Sequence, residues 1–144
     1  MTKNRLEGFK ECREVLQELS KTVQRNTGRR ALEVPAGIIA EAVKARAKVS
    51  DRAGNQTPGS LRESIKVGKE RAKGTQARIH VIADDVAAVP KEFGLTGRDY
   101  PAEPFFRPAV DAVANAAINA FAAALKPEVT AVAAKAAKRA MKAK

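Results

Sequence analysis

Apolar residues return every three or four positions early in the chain, as Leu6, Phe9, Cys12, Leu16, Leu19 and Val23. That spacing lines side chains along one stripe of a helix. The pattern predicts an amphipathic helix from 6 to 23, about five turns long. Its other face carries Lys10, Glu11, Arg13, Glu14, Glu18 and Lys21, both signs interspersed, which is a solvated face and not a binding stripe. Asn26-Thr27-Gly28 then reads as a stop, because glycine takes the left-handed conformation that closes helices. A second helix is predicted over 29–49, with Leu32, Ile39 and Val43 on one face beside Ile38 and Ala42, and with a kink or restart at Pro35.

From Ser50 to Ser60 turn formers replace apolar residues, so a loop over 50–60 is expected, mobile because little would hold it to a core. The period then falls to two. Ser64 to Gly68 alternates, and in Ala77 to Ala83 the residues Ala77, Ile79, Val81 and Ala83 share a face; two antiparallel strands joined by a basic tip are predicted. Val86-Ala87-Ala88-Val89 is expected as a third strand that ends at Pro90. Between Gly94 and Pro108 two glycines and three prolines impose a stiff extended crossing, and Pro108 is placed to open a last helix. Sixteen of the 36 residues from Ala109 to Lys144 are alanine, the best helix former, with one break or bend at Pro127. The predicted fold is therefore α+β: one domain over 1–144, a small antiparallel sheet of three or more strands packed with long helices, an Ala-rich C-terminal helix, and a basic tail over 129–144.

Composition removes several chemistries. The longest uncharged stretch of note, Ala112–Leu125, has 14 residues and includes Asn115 and Asn119, short of the roughly 20 apolar residues of a bilayer span. No membrane partner is expected. The first residues lack the apolar run of a secretory signal, and the single Cys12 has no intrachain partner, so folding in a reducing cytoplasm is expected. One histidine and one cysteine are too few for a closed zinc site, which takes about four such ligands.

Candidate catalytic groups fare no better. His80 sits mid-strand on the polar side with no nucleophile elbow in the chain, and reads as a solvated surface residue. Asp84 and Asp85 are strand neighbours that point to opposite faces. Gly54 to Ser60 has the two-glycine spacing of a phosphate loop but Ser60 where the lysine belongs. Cys12 falls on the apolar stripe and reads as a small buried hydrophobe. No catalytic, cofactor or metal site is expected, and the chain is not predicted to be an enzyme.

Charge is the strong signal. The formal net charge is +11, with 17 basic against 9 acidic residues in the first 74 positions and 10 against 7 thereafter. Lys135, Lys138, Arg139 and Lys142 fall on one helical face, with no acidic residue from Val129 onward. Such a face can neutralise phosphates and release counterions; it equally suits a solvated helix end whose cations complement the dipole. With one Tyr, five Phe and no Trp, nucleic-acid contact would be mostly ionic.

Particular motifs, in order, run through nearly the whole chain: Gly8-Phe9-Lys10-Glu11, the proline at Pro35, and Gly59-Ser60-Leu61-Arg62-Glu63-Ser64-Ile65. Glu92-Phe93-Gly94 follows, and then Pro101-Ala102-Glu103-Pro104-Phe105-Phe106-Arg107-Pro108-Ala109, the most specific of them. Together they resemble the minor tail component, or tail-completion, family of long-tailed double-stranded DNA bacteriophages and prophages. The resemblance implies a virion structural protein that completes the tail or joins it to the head at the neck, made in the host cytoplasm and assembled as a ring around the DNA passage. Implied partners are copies of itself, about six in preference to about twelve around a closed rotation, neighbouring head-completion and tail-tube or tail-terminator proteins, and transiently the passing DNA.

Phe93, Phe105, Phe106 and Arg107 are the candidate interface. On an extended segment Phe105 and Phe106 alternate, so one can anchor to the core while the other faces a partner; alternatively both pin the crossing to this subunit's own core. Lys135, Lys138, Arg139 and Lys142 are the candidate DNA-facing set. The alternative function is a basic nucleic-acid-binding protein that acts through that Lys/Ala-rich helix.

Overall fold

A computed structural model describes residues 17, 19–48, 59–70 and 73–142. It is an α+β fold dominated by two long helices. Helix α1, Lys21–Arg46, starts at Ser20, whose side chain accepts from the Val23 amide at 3.4 Å. A single turn, α2, spans Ser60–Glu63 and leads into strand β1, Ile65–Lys69; strand β2 is Ile79–Ala83. A short helix α3, Ala88–Phe93, precedes α4, Phe106–Lys142, which is 37 residues long.

The strands pair antiparallel with Ile65 opposite Ala83, Val67 opposite Val81 and Lys69 opposite Ile79. Ile79, Val81 and Ala83 are half-buried while His80 and Ile82 are exposed, as the alternation predicts. The sheet has two strands among the described residues, and the expected third is absent from it. Residues 86 and 87 form a turn, and Ala88 and Val89 begin α3. A short apolar run has no period to distinguish strand from helix. Here Asp85 decides the outcome locally, since its Oδ1 accepts the Ala87 amide at 2.7 Å and its carbonyl accepts from Ala88. Pro90 then falls in the first helical turn, where no amide is required.

Three interruptions of helix that the sequence allows, a stop at 26–28, a restart at Pro35 and a break at Pro127, do not occur. Helix α1 runs unbroken through Asn26-Thr27-Gly28, and Pro35 lies inside it without a restart. A Cβ built at Gly28 would come within 3.1 Å of the Ala77 Cβ, so this glycine serves the close approach of the segment entering β2 and not a helix stop. Helix α4 likewise continues through Pro127, and it begins two residues before Pro108, so the irregular crossing ends at Phe105. Most of the helix expected from 6 to 23, and residues 50–58 of the expected loop, lie outside the described residues. Gly59, at φ 86°, precedes the α2 turn.

The two long helices lie antiparallel. Ala31 packs with Leu125 and Val129 at one end, while Ala40, Val43 and Ala47 join Phe105 and Ala109 at the other, together with Leu61, Ile65 and Ala88. The buried stripe of α1 is thus Thr27, Ala31, Pro35, Ala36, Ala40 and Val43, small residues that let two backbones approach. Leu32, Ile38 and Ile39 flank that stripe only half-buried. Arg30 and Glu128 pair across the helices at 2.7 Å, and Lys69 ties β1 to Glu33 of α1 at 2.6 Å.

Because α4 is continuous, its segment Phe106–Arg139 is long and apolar enough, by length and composition, to cross a membrane. The 14-residue count from the sequence understates it. The segment nevertheless carries Lys126-Pro127-Glu128 within it, places Glu128 in the pair with Arg30, and buries its Ala117, Leu125 and Val129 inside the protein.

Candidate functional site

The segment between α3 and α4 is built around two short sequence blocks. Gly94 closes α3, its amide donating to the Pro90 carbonyl at 2.8 Å, and it adopts φ 73°. A Cβ there would sit 3.0 Å from both the Ala102 nitrogen and the Tyr100 oxygen, so conformation and space both require glycine. The chain then turns back, with Leu95 and Tyr100 forming an isolated antiparallel bridge, and the Glu103 amide donates to the Lys91 carbonyl at 2.8 Å.

This return delivers the start of α4 to the side chain of Glu92. The first amides of a helix have no partner within it, and neither Pro104 nor Phe105 has a side chain that could cap them. Glu92 Oε2 accepts from the Phe105 and Phe106 amides at 2.8 and 2.9 Å, and Oε1 accepts from Arg107 at 3.0 Å. The next residue is Pro108, which has no amide to satisfy. One carboxylate, 13 to 15 residues upstream, therefore meets the donors of the first turn and places its charge at the positive end of the helix dipole. Burial alone would push the Glu92 carboxyl up; the three amide bonds, helped by the Arg107 charge, outweigh it and hold it below its ordinary value.

Above this clamp lies an open, mainly apolar groove of about 570 Å³ between β2, α3 and the start of α4. Its walls include Ile82, Val89, Phe93, Phe106 and Val110, with Arg107 and Asp111 at the polar margin. Phe93 and Val89 are each 66% exposed and Ile82 is 47% exposed. Large apolar side chains gathered around one concavity mark a contact surface more often than an ordinary solvated one.

Of the candidate interface residues, Phe93 stands on the groove wall, Phe105 is buried in the core, and Phe106 is half-buried between them. The Phe105 and Phe106 rings meet edge to face with centroids 6.2 Å apart, so both help fix the crossing to its own subunit. The Arg107 side chain is exposed. The structure thus brings all four residues to one site.

The candidate DNA-facing residues lie elsewhere. Lys135, Lys138, Arg139 and Lys142 are exposed on the last turns of α4, about 36 Å or more from the groove by helical rise. Lys135 and Arg139 border a second hollow, of about 500 Å³, with Leu19, Val23 and Arg30.

Glu92 belongs to the Glu92-Phe93-Gly94 motif, which by itself gives the carboxylate no role. Its signal is an acid before an exposed aromatic and a glycine, followed by three consecutive amides that end at a proline. Ile82, Val89 and Val110 give no signal, because only folding brings them together. His80 is exposed, with Nε2 2.7 Å from Glu70 Oε2, and no group of three or more metal-ligating side chains occurs among the described residues. Cys12 and the glycine loop before Pro58 lie outside them.

Comparison with protein-family models matches residues 10–94 to a family described as "Bacteriophage HK97-gp10, putative tail-component". The match covers more than half of the chain and includes Glu92-Phe93-Gly94, but stops before the amides that Glu92 holds. No curated protein and no solved structure gives a significant match.

Proposed function

This chain belongs to the HK97-gp10-like family of bacteriophage tail components, and on that premise we propose that it is a virion structural protein that completes the tail or joins it to the head at the neck. Its copies assemble as a closed ring around the DNA passage, after synthesis in the host cytoplasm. The observation that carries this reading is the exposed apolar groove held rigid by the Glu92 clamp. A preformed surface loses little ordering entropy on contact, and a contact between unlike surfaces of identical subunits closes a ring when its rotation closes. Assembly of this kind needs no enzymatic step.

The test uses lysates in which this protein is missing, so that heads and tails accumulate unjoined. Purified protein added back should restore joined particles and appear by electron microscopy as a ring at the junction. Restoration without any density at the tail end or neck would contradict the assignment.

A second reading is favoured by Lys135, Lys138, Arg139 and Lys142, exposed on one face of α4 with no acidic residue after Glu128. In this reading the chain binds nucleic acid through phosphate neutralisation; in the ring reading the same face touches passing DNA only transiently. Tight duplex binding by the isolated protein at physiological salt would favour the second reading.

A further inference from the structure

The groove beside Phe93 is uncovered among the described residues, and the sequence holds an apolar stripe, Phe9, Cys12 and Leu16, at the spacing of a helix that docks in grooves. We propose that residues 6–16 of one copy dock as an amphipathic helix in the groove of the next copy, against Ile82, Val89, Phe93, Phe106 and Val110. The inference rests on the ring reading and names the contact that would build the ring.

Geometry excludes the same chain as donor. The groove is built on the first turns of α4, at Phe106 and Val110. Leu19 and Ser20, where the N-terminal segment joins the described fold, line the hollow at the other end of α4 with Lys135 and Arg139. Asp111 on the groove and Val132 on the hollow are 21 residues of helix apart, about 32 Å at 1.5 Å per residue. Cys12 is eight residues from Ser20, a reach of about 12 Å as a helix and about 28 Å even if fully extended. Docked as a helix over 6–16, about 15 Å long, and joined to Ser20 by four residues that extend at most about 14 Å, the segment does not reach its own groove. The segment of a neighbouring copy has no such limit, and its insertion makes a head-to-tail contact, the kind that propagates around a ring.

The chemistry of the two surfaces matches. An apolar stripe meets an apolar floor, while the polar face of the segment, with Glu7, Glu11, Glu14, Lys10 and Arg13, stays in water beside a margin that also carries both signs, Arg107 and Asp111.

The single native cysteine provides the test. Val89→Cys places a thiol on the exposed groove wall, where substitution leaves the core intact, and mild oxidation joins it to Cys12 only if the two come within disulfide distance. The expected result is a ladder of covalent dimers and higher oligomers that vanishes when Cys12→Ser is added. Asn119→Cys, exposed on α4 away from the groove, should give no such ladder.

A mixing experiment reads the same contact by sedimentation. Phe9→Asp spoils the segment and Phe93→Ser spoils the groove, so each alone should be monomeric, while a mixture retains one good segment and one good groove and should stop at dimers. Equal cross-linking of Val89→Cys and Asn119→Cys, or a Val89→Cys ladder that survives Cys12→Ser, overturns the proposal. Ring formation by wild type together with no Cys12 cross-link in Val89→Cys overturns it while leaving the ring reading intact. A wild-type protein that stays monomeric overturns both.

Discussion

Glu92 connects two sequence blocks that look unrelated. In Glu92-Phe93-Gly94 the acid caps α4, the phenylalanine stands on the groove wall, and the glycine takes a left-handed turn against the 100–102 backbone. In Phe105-Phe106-Arg107-Pro108 three amides face the acid and the fourth position has none. Glu92→Ala orphans three donors and should cost about 2 kcal/mol in chemical denaturation. The pH dependence has a definite sign. Because the folded-state pKa lies below the ordinary value of 4.5, the contribution is complete above that value and is lost as pH falls through the lower, folded-state one. The stability gap between wild type and Glu92→Ala should therefore narrow on acidification below about pH 4.5; a constant gap would show that the carboxylate charge is not what caps the helix. Thr27 offers a contrasting case, fully buried in α1 with its hydroxyl unbonded. Thr27→Val removes that unsatisfied group, and thermal melts should show equal or greater stability, by up to about 1 kcal/mol.

At the scale of elements, the sequence discloses periods well and punctuation poorly. The two strands and the Ala-rich helix appear where alternation and composition put them. Asn26-Thr27-Gly28 reads locally as a stop, Pro35 as a kink or restart and Pro127 as a break or bend, yet α1 and α4 continue through all three because packing along each other's small residues outweighs the local preference. The buried stripe of α1 is legible only at Val43, for a related reason: its alanines, ordinarily neutral in a pattern, form most of the contact, while the larger Leu32, Ile38 and Ile39 flank it. Val86 to Val89 reads as strand in sequence because the helix-starting role of Asp85 depends on its side chain meeting the Ala87 amide. Gly28 tests the close-packing account. Gly28→Leu should destabilise by about 1 to 3 kcal/mol through overpacking, despite the better helix propensity of leucine, and Ala77→Gly in the same chain should recover part of the loss. If Gly28→Leu is neutral or stabilising, the approach of the 77 segment does not require glycine.

The whole molecule is polarised along α4, with an apolar groove at its start and a cationic face at its end. The cations were legible because charge is counted residue by residue; the groove was legible only through Phe93, Phe105, Phe106 and Arg107, since its other walls come from β2 and α3. Salt separates the two ends. Duplex DNA binding through the C-terminal cations should weaken linearly on a log–log plot as salt rises. Association of copies that each carry a net charge of +11 through an apolar contact should instead hold or strengthen as repulsion is screened. The most direct test of the assembly surface is sedimentation velocity on wild type and Phe93→Ser, because a side chain 66% exposed in the single chain can be changed without disturbing the core. Wild type should sediment as a closed oligomer, and Phe93→Ser as a monomer with an unchanged melting temperature. Oligomers of the same size from both proteins would contradict the role of the groove.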